Sequence, residues 1–344
     1  MKALVLKKIA PVEATPLELL DWPLPQVGLK QIRVRVTACG ICHTEIDEIE
    51  GRRQPKLPVI PGHEIVGNVE TIGPGVTNFR LGDRVGIAWI NSSCGECVYC
   101  QNGEENLCDK FQGTGCDADG GYAEFTVIRE DFAYPIPPEF TDLQAAPLLC
   151  AGAIGYRALK LTGMQDGQTL GLFGFGASAH LVIQIAKYKY PNSKVFVFTR
   201  QKGDSASRLA KEKGADWLGT TGELSPEKLA CAIDTTPSGT AVREALRNLD
   251  KGGRLVINVI RKETPIPELD YTDHLWQEKE IKSVANITRQ DIQEFLPLAA
   301  EIPIKSDINE FRLEEANRAL LSLKQGKYRG AGVLKIADFV RRLG

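Results

Sequence analysis

The sequence has no run of Lys and Arg that could form a polyanion-binding stripe, and its 42 basic and 44 acidic residues leave a formal net charge of -2. That balance carries no electrostatic footprint for nucleic acid or an anionic membrane surface, so neither is expected as a partner. No segment reaches the roughly eighteen apolar residues that a membrane-spanning helix requires. The opening stretch, MKALVLKKIAPVEATPLELL, lacks the apolar core and small-residue cleavage site of a secretory signal. A cytoplasmic location is therefore expected. Internal repeats and low-complexity segments are also missing, which excludes repeat architectures and leaves small molecules as the expected partners.

What is present is a chain of 344 residues with 43% hydrophobic and 25% charged content, long enough for two domains of ordinary size. From residue 1 to about 150 it runs as short β-like segments split by Gly and Pro: KALVL, QIRVRVTA, EIVGNVETIG, DRVGIAWI and GYAEFTVI. This predicts an antiparallel barrel or sandwich with long functional loops. The texture changes near TDLQAAPLLCAGAIGYRALKLTG, where Ala and Leu recur at helical spacing. Over residues 151–290, buried-strand candidates (QTLGLFGFG, SKVFVFT, LACAIDTT, GGRLVINVI) alternate with helix-like stretches. Such alternation predicts a doubly wound parallel sheet. The tail RLEEANRALLSLKQGKYRGAGVLKI reads as a helix and then a strand that returns to the first domain's sheet, making residues 151–290 an insertion between 1–150 and 291–344.

LGLFGFGASAH places Gly174, Gly176 and Ala179 as G-x-G-x-x-A between an apolar strand and a helix. The first Gly allows the tight turn, the second a close approach to a pyrophosphate, and the third small residue lets helix and strand pack closely. The helix N-terminus then offers free N–H groups to the phosphates. Roughly twenty positions on, an acid would bind the adenosine ribose of NAD, but this chain has Thr199 and Arg200. A hydroxyl and a guanidinium there remove repulsion and add a bidentate phosphate donor, which favours NADP over NAD.

Cysteines fall into two sets. Cys94, Cys97, Cys100 and Cys108 are spaced C-x2-C-x2-C-x7-C. Four thiolates can close a tetrahedral zinc site with no position left for substrate. An iron–sulfur cluster also takes four cysteines, and disulfides fit a reducing compartment least well. The second set is scattered: Cys42 in CGICHTE, His63 in PGHEIVG and Cys150 in LLCAGA. Two thiolates and one imidazole can hold zinc with a fourth position open. Cys39, Cys116 and Cys231 carry no assigned role beyond burial.

From CGICHTE through PGHEIVG, the four-cysteine loop, GGYAEF, AAPLLCAGAIGYRAL and GFGASA to GVLKI, the chain resembles the zinc-dependent alcohol dehydrogenases of the medium-chain dehydrogenase/reductase superfamily. The resemblance covers nearly the full length. It implies a GroES-like β-barrel catalytic domain with a Rossmann-type domain inserted, two zinc ions per chain and a dimer or tetramer. It also implies that Cys42, His63 and Cys150 are the catalytic zinc ligands, with Glu64 as a neighbour able to join the metal, and that the four-cysteine loop holds a structural zinc. Thr44 matches the hydroxyl that relays the substrate proton, His43 a position that touches the cofactor pyrophosphate, and Trp89 a wall of the substrate pocket.

Two departures stand out. Relatives often complete the proton path with a histidine three residues after the relay threonine; this chain has Asp47, either a terminal base or a solvated charge. Relatives also carry an Arg directly after the Gly near the last strand; here Gly330 precedes Ala331, and Arg329 is the nearest candidate for the cofactor phosphates. The implied reaction is reversible hydride transfer between an alcohol, primary or aromatic, and a nicotinamide cofactor. A polyol or sugar dehydrogenase and a non-enzymatic nucleotide-binding sensor are the alternatives.

Overall fold

The computed structural model of the chain describes residues 1–336, and these divide into two compact units. The first comprises 1–150, 287–300 and the described residues from 306 on, and the second comprises 151–286 and 301–305.

The first unit is built on a seven-stranded sheet around the strand Gln31–Ile41. In QIRVRVTACGI, Ile32, Val34 and Val36 are fully buried while Arg33 and Arg35 between them are not, the two-residue period of a half-buried strand. This strand pairs antiparallel with Ile65–Ile72 on one side and with Ala331–Lys335 and Phe125–Arg129 on the other. The tail therefore comes back into the first sheet, with Leu334 opposite Cys39. Val34, Ile65, Ile87, Tyr122 and Leu334 share one apolar core.

The second unit holds six parallel strands in the spatial order Trp217–Thr220, Val195–Thr199, Leu170–Phe173, Leu229–Asp234, Leu249–Ile257 and Glu280–Ser283. Numbered along the chain this is 3-2-1-4-5-6, the order of a Rossmann fold, with its switch point between the strands ending at Phe173 and Asp234. The expected β-barrel-type unit with an inserted doubly wound sheet is thus present. Four of the six strands coincide with the apolar runs in the sequence. The two edge strands carry no such signal: all four residues of Glu280–Ser283 are exposed, and of Trp217–Thr220 only Gly219 is buried.

The helical spacing of TDLQAAPLLCAGAIGYRALKLTG reads as one element, but the structure breaks it. A short helix, Asp142–Ala145, is capped by the Thr141 hydroxyl and passes into a tight turn, Ala146–Leu149, and a new helix starts at Ala151. Pro147 supplies no N–H and crowds the preceding turn, so the helix cannot continue. The break leaves Cys150 between helices, at the last position of the first unit.

The four-cysteine loop is tied to the same unit by Glu105. Its carboxylate is 2% exposed and accepts from the backbone N–H and the Nε of Arg289, at 2.8 and 2.9 Å. Glu105→Ala orphans both donors, and with Arg289 one-third exposed the expected cost is about 1–3 kcal/mol. A fall in the thermal midpoint of the purified protein checks this; an unchanged midpoint would show that the tether contributes nothing.

Candidate active site

Cys42 ends the long central strand and stands at the start of the helix His43–Ile49. His63 and Glu64 precede the strand Ile65–Ile72, and Cys150 fills the helix break. The fold brings these four together: one donor atom from each of Cys42, His63, Glu64 and Cys150 lies within 4.8 Å of the others. His63 and Glu64 are 1% and 3% exposed.

A residue not singled out from sequence organises this group. Glu45, fully buried, accepts from the Cys42 backbone N–H through Oε2 at 2.8 Å and places Oε1 2.5 Å from His63 Nδ1 in an ion-pair contact. With Nδ1 facing that carboxylate, Nε2 is the buried nitrogen on the other side of the ring. This is how a histidine is oriented to give its other nitrogen to a metal. The sequence carries half a signal for it, because Glu three residues after a helix start is a capping-box spacing, but cysteine is not a usual capping residue.

Glu64 depends on a second unforeseen position. A Cβ on Gly40 would lie 1.8 Å from Glu64 Oε2, so the buried carboxylate fits only over a glycine. The Gly40 N–H also donates to the Glu64 carbonyl at 2.9 Å.

The group has an excess of negative character. Hydrogen bonds from Cys150 and His63 hold the Cys42 thiol well below its usual range, whereas Cys150, sharing the first of these and largely removed from water, is raised. Burial alone would keep His63 neutral, but the Glu45 carboxylate and the Cys42 sulfur push its pKa up. Burial, and after it the Cys42 charge, pushes Glu64 up. Side chains that compete this strongly for protons form a site suited to a cation.

The other expected residues of this unit are placed as follows. Thr44 is 8% exposed, and its Oγ1 lies 3.5 Å from Cys42 Sγ. His43 is exposed at the helix start. Asp47 is 3% exposed, with Oδ1 2.5 Å from Arg52 Nε, so its carboxyl group is buried against a guanidinium and is not on the solvated surface. Trp89 is 9% exposed and lies against Phe111 at 4.6 Å between ring centroids. Arg329 lies 3.5 Å from Asp307.

The four-cysteine loop forms a separate group, with its sulfurs also within 4.8 Å of one another. Cys94 Sγ lies 3.5 Å from Cys108 Sγ and 3.8 Å from Cys100 Sγ, too far for a disulfide and close enough to share one ion. Backbone N–H groups of Glu96 and Cys97 hold the Cys94 thiol down to about 6.

In the second unit Gly174 has φ +84°, and a Cβ there would meet Thr235 Oγ1 at 2.8 Å; Gly176 is open on its Cβ side, and Ala179 begins the helix Ala179–Lys189. The turn therefore leaves its backbone approachable in front of a helix N-terminus. Gly155, another position without a sequence signal, lets the helix Ala151–Thr162 pack on Val182 and Ser178. Thr199 is 3% exposed and its hydroxyl donates to the Gln201 carbonyl at 3.1 Å, whereas Arg200 is exposed at the strand end.

Residues 28–138 match the alcohol dehydrogenase GroES-like domain. The chain is 42% identical to the protein named "Probable alcohol dehydrogenase AdhA" of Mycobacterium tuberculosis, over 98% of this chain and 97% of that one. This chain belongs to the alcohol dehydrogenases of the medium-chain dehydrogenase/reductase superfamily. It is an oxidoreductase that acts between alcohols and their carbonyl products. An alcohol dehydrogenase of Geobacillus stearothermophilus is 36% identical over 98% of this chain and 100% of its own length. Among solved structures, CAD from Helicobacter pylori complexed with NADP(H) superimposes with a TM-score of 0.87 at 25% identity, over 97% of this chain and 99% of that one.

In this alcohol dehydrogenase Gly40→Ala drives a methyl group into Glu64. The expected result is a loss of about 1–3 kcal/mol of stability and weakened metal retention, since overpacking of a buried site is costly. Differential scanning calorimetry and metal analysis of the variant check both; a variant as stable and as metal-rich as the parent would show that Glu64 has room to move.

Proposed function

We propose that this enzyme is a zinc-dependent dehydrogenase that interconverts primary or aromatic alcohols with aldehydes or ketones by hydride transfer with NAD(P), and that it holds two zinc ions per chain. The observation that carries the reading is the donor set of Cys42, His63 and Cys150, with the buried His63 held through Nδ1 by Glu45. Two thiols and an imidazole suit zinc, and Glu64 is the fourth donor within reach. Zinc held there supplies Lewis acidity, which lowers the pKa of an alcohol and polarises a carbonyl.

The protein's own groups do the rest. Glu45 fixes the imidazole, and the nearly buried Thr44 hydroxyl, 3.5 Å from Cys42 Sγ, is placed to accept the substrate proton and pass it on. Asp47, three residues further along the helix, is held against Arg52 beside that path. The four thiols of Cys94, Cys97, Cys100 and Cys108 fill a tetrahedral zinc site completely, so the second ion braces the loop.

In the second unit the Gly174, Gly176 and Ala179 turn is the part suited to the cofactor pyrophosphate, and His43 and Arg329 keep the cofactor-contact role that the family resemblance implies. NADP is favoured over NAD because Arg200 is exposed at the strand end where an acid would otherwise meet the ribose. A homo-oligomer is favoured by the exposed edge strand Glu280–Ser283 and by Tyr271 and Trp276, 61% and 54% exposed. Nine cysteines, all free, favour the reducing cytoplasm.

Cys42→Ala should abolish turnover and leave one zinc per chain; full activity in that variant would sink the proposal. Initial rates with NADPH and NADH on a panel of aldehydes should favour NADPH, and Arg200→Ala should raise KM for NADPH roughly tenfold or more with little change for NADH. Equal parental rates with both cofactors would remove the role given to Arg200.

A further inference from the structure

Beside the Cys42, His63 and Cys150 group lies a wall whose polar atoms the chemistry above does not use. Gly115 packs on Gly62, the neighbour of His63: a Cβ on Gly115 would lie 2.7 Å from the Gly62 nitrogen. Thr114, next in line, donates its backbone N–H to the Trp89 carbonyl at 2.8 Å. The Arg53 guanidinium lies over the Trp89 ring, 4.7 Å from its centroid.

Arg53 is held in place. Its Nε donates to Cys116 Sγ at 3.2 Å and its Nη2 to Asp117 Oδ2 at 3.3 Å, while Glu48, 1% exposed, has an oxygen 3.9 Å from Nε. The Asp117 carboxylate is also taken by the Gly113 N–H at 2.7 Å. Among the described residues Nη1 has no hydrogen-bond partner, and the side chain remains 34% exposed. Among the described residues the indole N–H of Trp89, 9% exposed, has no acceptor, and the buried Thr114 hydroxyl has no partner either.

A buried N–H without an acceptor is costly, and a guanidinium fixed on an aromatic face with Nη1 and the second N–H of Nη2 unused is pre-organised for a planar anion. Asp117 offsets part of the charge, and its Oδ2 is shared between Arg53 and the closer Gly113 N–H. Burial pushes the Glu48 carboxyl well up, which limits its share in that offset.

We propose that Arg53 and Trp89 read a carboxylate on the substrate, so that the preferred substrates are alcohols and aldehydes that carry an acid group away from the reacting carbon. This deepens the dehydrogenase reading and rests on Cys42, His63 and Cys150 being the reacting centre. Arg53 supplies the charge and the fork, and Trp89 supplies a neutral donor and a flat surface. Alcohols without an acid group leave these donors unsatisfied and bind less well.

The test compares 4-carboxybenzaldehyde with 4-methylbenzaldehyde, close in shape and different in charge, as substrates of the zinc-loaded full-length enzyme with saturating NADPH or NADH. The parent should favour the acid in kcat/KM by roughly tenfold or more, chiefly through KM, and added salt should erode the preference. Arg53→Leu should cut the ratio of the two kcat/KM values at least tenfold, and Arg53→Lys, which keeps the charge and loses the fork, should fall between. Thermal midpoints and zinc content of the variants identify any that misfold, and the parental ratio with its salt dependence stands without them. Turnover of 4-methylbenzaldehyde as fast as the acid, or a ratio unmoved in a folded Arg53→Leu, overturns the proposal and leaves the dehydrogenase reading intact. No turnover of any aldehyde with either cofactor overturns both.

Discussion

One buried carboxylate sets the geometry on which the site depends. Glu45 gives one oxygen to the backbone of Cys42 and the other to His63, two residues 21 positions apart that reach the same spot from a strand end and a turn. A fully buried acid is tolerated only where its charge is met, and here the partners are a helix-start N–H and an imidazole. Meeting that requirement orients Nε2 and fixes the start of the helix that carries Thr44 and Asp47. The helix is only seven residues long and buries Thr44 to Ile49 without a break. Its polar residues are therefore tied to stated partners: Glu45 to His63 and Asp47 to Arg52, with Glu48 left close to Arg53.

The two cysteine groups show how surroundings separate similar ligands. Cys94, Cys97, Cys100 and Cys108 lie on one loop and bring only thiols, so the group is closed by its own spacing. The other group draws on three distant segments, includes an imidazole and a carboxylate, and sits in the buried part of the unit. Its charge balance follows from that burial, because the same surroundings that raise Glu64 and Cys150 make a bound cation worth more.

Much of this was legible in the sequence where residue type is rare and spacing is short. Cys, His and Gly in fixed motifs pointed to both donor sets and to the tight Gly174 turn before a helix. Apolar runs found four of six parallel strands. Glu45 and Gly40 escaped because a Glu in a short helix and a Gly in a strand are ordinary, and their importance lies in what stands across from them. The strands Trp217–Thr220 and Glu280–Ser283 escaped because edge positions need no apolar run. Pro147 was visible, but its effect, leaving Cys150 outside any helix, was masked by the helical spacing around it.

By itself the sequence determined the residue types able to hold a metal, the alternation that builds a doubly wound sheet, and the Arg200 in place of an acid, since each follows from local chemistry or period. Tertiary structure alone decided which nitrogen of His63 is left over, that Asp47 is paired with Arg52, and that Arg53 lies on Trp89. These are contacts between groups well apart in the chain or turned toward one another by packing, and local pattern carries no information about which of many chemically able partners the fold will put within reach.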